Sequence, residues 1–256
     1  MVCVYDSGVG GVSTLMALRR LVPTVDVCYL GDTARVPYGP RDAATVCRYA
    51  TEALDYLAAL RPEAILVACG TVSTVALPHL RGRYPLPVYG VAEAGIRAAA
   101  ALGARRLAVL GTEATVRSGI FARRLSECLP SAEVRSVACP LFVALAEAGL
   151  TAPDDPLPRL VAERTLAPLF DLEPEAILLA CTHFPWLSPH VRRLFPTAHL
   201  IDCGAAAAAA LAPTLGERGR GECRFLVTDG SEAFRRLYGR LTGDAAPPLV
   251  ETVALS

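Results

Sequence analysis

The sequence predicts an α/β protein built as two pseudo-symmetric three-layer units, with mostly parallel sheets and an active site in the cleft between them. Three observations carry this prediction. The first is an internal repeat: Arg61 to Cys69 (RPEAILVAC) and Glu173 to Cys181 (EPEAILLAC) agree at seven of nine positions. Each is an apolar run behind a Pro-Glu pair, the pattern of a strand buried in a parallel sheet. The second is that the match continues past both thiols, since Pro78 to Pro85 answers Pro189 to Pro196 at almost the same offset. The third is the alternation of strand-like and helix-like segments along all 256 residues, which implies parallel strands joined by covering helices.

Val2 to Tyr5 reads as the first strand, emptying into Asp6-Ser7-Gly8-Val9-Gly10-Gly11 and a helix from Val12 to Leu21. Glycines there permit a tight turn, and the amides of a helix start favour an anion. A plain capped connection explains the same residues. Val25 to Leu30 is the second strand, followed by the loop Gly31 to Pro40. That loop carries Arg35 and Tyr38 beside its prolines and glycines, more than a connector needs, and is read as the wall of a pocket. A helix spans Asp42 to Leu60, and Gly70-Thr71-Val72-Ser73 follows the first cysteine strand. Val88 to Val91 completes this set of strands, with a helix from Ala92 to Leu102.

The second unit opens with the strand Arg106 to Leu110 and the polar exit Gly111-Thr112-Glu113-Ala114-Thr115, an echo of Asp6-Ser7. Val134 to Ala138 is a strand, Leu141 to Ala148 a short helix carrying Glu147, and Leu160 to Phe170 a longer helix. The second cysteine strand leaves through Cys181-Thr182-His183, after which His199 to Ile201 is a strand and the alanine run Gly204 to Ala210 a helix. Arg224 to Thr228 and Ser231 to Leu241 are the last strand and helix. The repeat ends before them, so they are assigned to the first sheet. The units are residues 1–92 with 205–256, and residues 93–204.

Composition removes several functions. Formal charge is zero and no basic block occurs, so nucleic acid is not an expected partner. No apolar run reaches membrane-spanning length and no charged leader precedes Val2, so a cytoplasmic protein without a membrane partner is expected. Nine cysteines are scattered without any C-x-x-C pair, which favours reduced thiols over disulfides and no bound metal. The sequence contains no lysine, and pyridoxal phosphate enzymes hold their cofactor as a lysine Schiff base, so that chemistry is excluded.

Cys3, Cys28, Cys47, Cys128, Cys139 and Cys223 are read as small buried hydrophobes. His79 and His190, in the repeated segments, are read as structural. Cys69 and Cys181 differ, because duplication puts them at equivalent strand ends, where ligands bind in sheets of this kind. Helix-start amides beside them are expected to lower the thiol pKa. Two like units facing each other aim two thiols at one ligand from opposite sides. Removing a proton from one face of a carbon and returning one to the other inverts its configuration, which needs two opposed acid/base groups. Fixed dipoles must then stabilise the carbanion. Asp6 on one side and His183 or Glu147 on the other are the available tuning groups.

The segments VYDSGVGG from Val4, GDTARVPYG from Gly31, GTEATVRSG from Gly111, CPLFV from Cys139 and Cys181-Thr182-His183 together resemble the glutamate racemases. The resemblance covers nearly the whole chain. It implies the aspartate/glutamate racemase fold, cofactor-independent conversion of L-glutamate to D-glutamate for peptidoglycan, and a homodimer. It also implies Cys69 and Cys181 as the acid/base pair, with Asp6 assisting the first and Glu147 and His183 the second. Ser7, Pro37, Tyr38, Gly39, Gly70, Thr71 and Thr182 are implied as substrate-binding. The family usually has Cys-Asn-Thr where this chain has Cys69-Gly70-Thr71, which removes an amide contributing about 1–3 kcal/mol to binding. Phe184 and Cys203 replace a usual tyrosine and serine. A racemase of another amino acid, or a glutamate-binding relative without turnover, are the alternatives that Gly70 raises.

Overall fold

The computed structural model describes residues 1–80, 82–216, 219–244 and 248–255; Arg81, within the first repeated segment, lies outside them. The strands in chain order are β1 (Val2–Asp6), β2 (Val27–Gly31), β3 (Ala64–Val67), β4 (Val88–Gly90), β5 (Arg106–Gly111), β6 (Glu133–Ala138), β7 (Ala176–Leu179), β8 (His199–Asp202), β9 (Cys223–Val227) and β10 (Val250–Thr252). They form two sheets, ordered β10-β9-β2-β1-β3-β4 and β6-β5-β7-β8. Every neighbouring pair is parallel. The order β2-β1-β3-β4 matches β6-β5-β7-β8 strand for strand, so the pseudo-symmetry reaches well beyond the repeated sequence.

The repeated strands are also entered alike. Arg61 and Glu173 both have positive φ, 52° and 46°, although neither is glycine. Such backbone is uncommon outside glycine and is tolerated where surrounding structure holds it. Two residues later, Glu63 N–H donates to the Met1 carbonyl and Glu175 N–H to the Arg106 carbonyl, at 3.0 and 2.8 Å. Each cysteine strand is thereby registered against the first strand of its own unit.

Along a strand successive side chains face opposite ways, and the cores divide accordingly. Val2, Val4 and Leu66 of the first sheet and Leu107, Val109 and Leu178 of the second join one common core. Cys3, Tyr5, Ile65 and Val67 face outward onto the helix Ala43–Ala59, while Ala108, Leu110, Ile177 and Leu179 face the helices Pro140–Glu147 and Pro156–Leu166. The helices Val12–Leu21, Val91–Leu102 and Cys203–Leu211 pack on one another between the sheets. The two units therefore share their middle layer. That layer is tight: a Cβ on Gly95 would lie 2.3 Å from Cys203 Sγ, and one on Gly204 would lie 2.2 Å from Thr14 Oγ1.

Several expectations are corrected. The helix expected from Leu160 starts at Pro156, capped by the Asp155 carboxylate on Leu157 N–H, and ends at Leu166 before a 3-10 turn. The second strand begins at Val27, because Val25 N–H is turned back to the Val22 carbonyl. The helix Ile120–Cys128 and strand β10 are present without having been foreseen. Cys128 is exposed and Cys47 and Cys223 are half-buried, so only Cys3, Cys28 and Cys139 fit the reading as buried hydrophobes. The first repeated segment after the thiols is helical over Leu77–Leu80, the second over Ser188–Leu194. His190 is buried and His79 exposed. Among the described residues, no helix is long and apolar enough to cross a membrane.

The tight middle layer makes a direct prediction. Gly95→Val pushes two methyl groups toward Cys203 and is expected to destabilise the protein by about 1–3 kcal/mol, read as a fall of several degrees in melting temperature. An unchanged midpoint contradicts this packing.

Candidate active site

The carboxyl ends of β1, β2, β3, β5 and β7 open on one cavity of about 410 Å³. Ser7, Pro37, Tyr38, Gly39, Cys69, Gly70, Thr71, Glu147, Cys181, Thr182 and His183 all line it. Asp6 lies behind this lining, fully buried. The structure thus gathers every predicted site residue in one place, drawn from both units. A hollow of about 810 Å³ lies at the opposite ends of the second sheet, between Arg106, Phe170, Glu173 and His199. No cysteine lines it, whereas both Cys69 and Cys181 line the smaller cavity.

Cys69 follows β3 by two residues and caps the short helix Gly70–Val75 with extended backbone, φ −63° and ψ 118°. Only 5 % of it is exposed. Its Sγ lies 3.5 Å from Ser7 Oγ, on the exit of the neighbouring strand β1. The lowered pKa expected beside helix-start amides is not found. Burial, and after it the nearby Asp6 carboxylate, pushes the Cys69 thiol up to about 12. The Ser7 hydroxyl and the Val72 amide oppose that rise without cancelling it. In this chain desolvation outweighs the amides of the helix start.

Asp6 bonds elsewhere. Its Oδ2 accepts from Gly8 N–H at 3.0 Å, and its Oδ1 accepts from Thr182 Oγ1 at 3.2 Å, across the cleft. It acts on Cys69 through charge, while it is fastened to the loop of the other cysteine. Burial raises its own pKa, against the lowering effects of His183 and the backbone donors.

Cys181 follows β7 by the same two residues and is 8 % exposed. Its Sγ lies 3.7 Å from His183 Nδ1, and His183 Nε2 lies 2.6 Å from Glu147 Oε1. Burial alone would lower the His183 pKa, but its bonds to Cys181 and Glu147 win and hold it well above the ordinary value. Glu147 is one-third exposed at the end of the helix Pro140–Glu147, so the chain from thiol to imidazole to carboxylate runs from the cavity toward solvent. Among the described residues, no group of three His, Cys, Asp or Glu is arranged to hold a metal ion.

The loop after β2 forms one wall. Tyr38 O–H donates to Asp32 Oδ2 and stands 3.0 Å from Tyr5 O–H. Asp32 also accepts from Arg35 Nε at 2.6 Å and Thr228 Oγ1 at 2.8 Å. The Tyr38 hydroxyl is committed to the protein, so the residue offers the cavity its ring and backbone.

Residues 14–211 match the Asp/Glu/hydantoin racemase family. The chain belongs to that family. It is similar to a glutamate racemase of Thermus thermophilus, 43 % identical over 93 % of this chain and 91 % of that one, and to a glutamate racemase of Aquifex aeolicus, 37 % identical over 96 % of each. The crystal structure of the glutamate racemase of Francisella tularensis in complex with D-glutamate superposes with a TM-score of 0.91 at 30 % identity, covering 99 % of this chain and 97 % of that one.

In this racemase-family member the cavity also includes residues that the sequence alone did not single out. Thr112 Oγ1 lies 2.9 Å from Thr71 Oγ1, and Val36, Pro40, Glu113, Pro140, Val143 and Ala144 complete the lining. The available signal for Thr112 is its place at the exit of β5, the counterpart of Ser7 at the exit of β1. Pro140 and Val143 stand in the CPLFV segment without having been read as lining, and they and Ala144 reach the cavity through the packing of their helix.

At neutral pH Cys69 is therefore a thiol. Labelling of Cys69 by iodoacetamide, followed by mass spectrometry, is expected to keep rising with pH well into the alkaline range. Asp6→Asn removes a charge that opposes the thiolate and is expected to speed labelling at every pH below that limit. A plateau near neutrality, or identical rates in the variant, contradicts the assigned electrostatics.

Proposed function

We propose that the protein interconverts L- and D-glutamate by proton transfer at the α-carbon, with Cys69 and Cys181 as the two acid/base groups and no cofactor. One observation carries the reading: two thiols at equivalent strand ends line a single cavity, in a chain 43 % identical to a glutamate racemase. One sulfur, as thiolate, takes the α-proton from one face, and the opposite thiol gives its proton to the other. Configuration inverts, and the two sulfurs exchange protonation states. The reverse reaction runs the same exchange backwards.

The asymmetry of the site assigns supporting roles. Asp6 and Ser7 serve Cys69, by charge and by hydrogen bond. His183, held by Glu147, takes and returns the Cys181 proton. Ser7, Thr71 and Thr182 offer hydroxyls to the amino acid's charged ends, and the Pro37-Tyr38-Gly39 segment and Gly70 shape the cavity around it. The carbanionic transition state is stabilised by these fixed dipoles. The direction of use is D-glutamate supply for peptidoglycan, in the cytoplasm, by a homodimer.

Purified protein without added pyridoxal phosphate or metal is expected to racemise glutamate and to exchange the α-hydrogen of both enantiomers with deuterated water. Cys69→Ala and Cys181→Ala are each expected to abolish racemisation. Normal racemisation by either variant refutes the two-thiol assignment, and turnover of a different amino acid in a substrate panel redirects the reading. Binding of glutamate without exchange identifies a non-catalytic relative instead.

Glu147→Gln keeps a hydrogen-bonding group beside His183 Nε2 but removes a charge that raises its pKa. His183 then loses its proton at lower pH, so the alkaline limb of the kcat/KM profile moves to lower pH. An unmoved limb excludes the imidazolium from the rate-determining form.

A further inference from the structure

The loop that carries the second cysteine rests on the first unit where that unit has no side chain. A Cβ on Gly70 would lie 2.0 Å from the Ala180 carbonyl oxygen, 3.0 Å from its carbon and 3.6 Å from Cys181 Cα. All three are backbone atoms, so no rotamer change relieves the contact. Gly70 opens the helix Gly70–Val75 and is not among the glycines with positive φ. Its backbone would accept any L residue; only the space across the cleft demands glycine.

A second glycine repeats the pattern on the same loop. A Cβ on Gly10 would lie 2.4 Å from Thr182 Oγ1 and 2.8 Å from His183 Cε1. Beside it, Ser13 Oγ lies 3.0 Å from the Thr182 carbonyl oxygen and 3.0 Å from the Gly10 carbonyl oxygen, sharing its proton between the two units. Residues 180–183 are thus seated on the turns that follow β1 and β3 of the first sheet.

We infer that Gly70 and Ser13 are positioning residues that seat the Cys181 loop directly on the Cys69 turn and so set the separation of the two thiols. The inference rests on the racemase reading above. A substrate α-carbon held between two acid/base groups reacts only if both are within reach at once, and displacement of about 1 Å costs about 100-fold in rate. A Cβ at 2.0 Å must retreat by about that much to leave the range below 3.0 Å that real Cβ atoms essentially never occupy. The hydroxyls and amides of each turn move with their own cysteine, so the damage falls on proton transfer rather than on capture of the substrate.

Gly70→Ala is therefore expected to lower kcat about 100-fold with little change in KM, and Gly70→Asn to lower kcat as much whatever its amide returns to binding. The asparagine variant is expected to do no better than alanine, because the obstruction is at Cβ. Ser13→Ala, which adds no atom and frees the Thr182 carbonyl, is expected to lower kcat about tenfold with little change in KM. Should the Gly70 variants fail to fold, Ser13→Ala carries the kinetic comparison alone. Bridging of Cys69 to Cys181 by bifunctional thiosulfonates of increasing length, read by mass spectrometry, measures the separation without turnover. The reagent length that bridges best is expected to increase in Gly70→Ala, or in Ser13→Ala if that variant alone folds. Unchanged kcat in a folded variant, a loss confined to KM, or an unchanged bridging length overturns the inference. Absence of racemisation by the unsubstituted protein overturns the reading beneath it, while the bridging comparison still tests the separation.

Discussion

Close packing of one shared helix layer is the constraint on which the rest of the structure depends. Both sheets pack on the helices Val12–Leu21, Val91–Leu102 and Cys203–Leu211, and those helices meet through Gly95, Gly204 and an alanine run. Small residues let helix axes approach, and interiors packed at crystal-like density transmit such spacing without slack. The ends of the strands inherit it. Asp6, Cys69, Thr112 and Cys181 leave their strands toward one cavity because the middle layer brings the carboxyl ends of the two sheets together.

Within that frame the two thiols are equal in geometry and unequal in surroundings. The backbone of the repeat is the same on both sides, down to positive φ at Arg61 and Glu173. The neighbours of each sulfur are different. Cys69 meets a serine hydroxyl and a buried carboxylate and is held as a thiol, whereas Cys181 meets an imidazole that is itself held by Glu147. Asp6 joins the halves, since its charge acts on Cys69 while its oxygen is bonded to Thr182. A reaction that returns to its starting point in either direction needs two opposed groups, yet it does not need them to be alike.

The fold was legible because its signals are periodic and duplicated. Apolar runs of strand length, helical stretches between them and a nine-residue repeat identify parallel sheets and two related units. The features that escaped have weak local signals. Strand β10 is three residues, Val250-Glu251-Thr252, and exists through its pairing with β9. The chemically distinctive residues of the cavity lining were named from sequence, while Ala144 was not, because an apolar residue lining a cavity looks like any other core residue. The direction of the Cys69 pKa shift was misread for a related reason. A helix start is visible in sequence, but the desolvation that overrides it is a property of everything packed around the sulfur.

By itself the sequence named the chemically distinctive residues that meet at one cavity, two duplicated cysteines and their polar neighbours, and its lack of lysine set pyridoxal phosphate aside. It also determined the parallel α/β class, since side-chain period and repeat are local properties. The tertiary structure decided how the two halves are joined. It places the helices of both units in one layer, fastens Asp6 to the opposite loop, and sets Gly70 against the Ala180 carbonyl. Those are contacts between segments far apart in the chain, and no local pattern encodes the distance at which such segments meet.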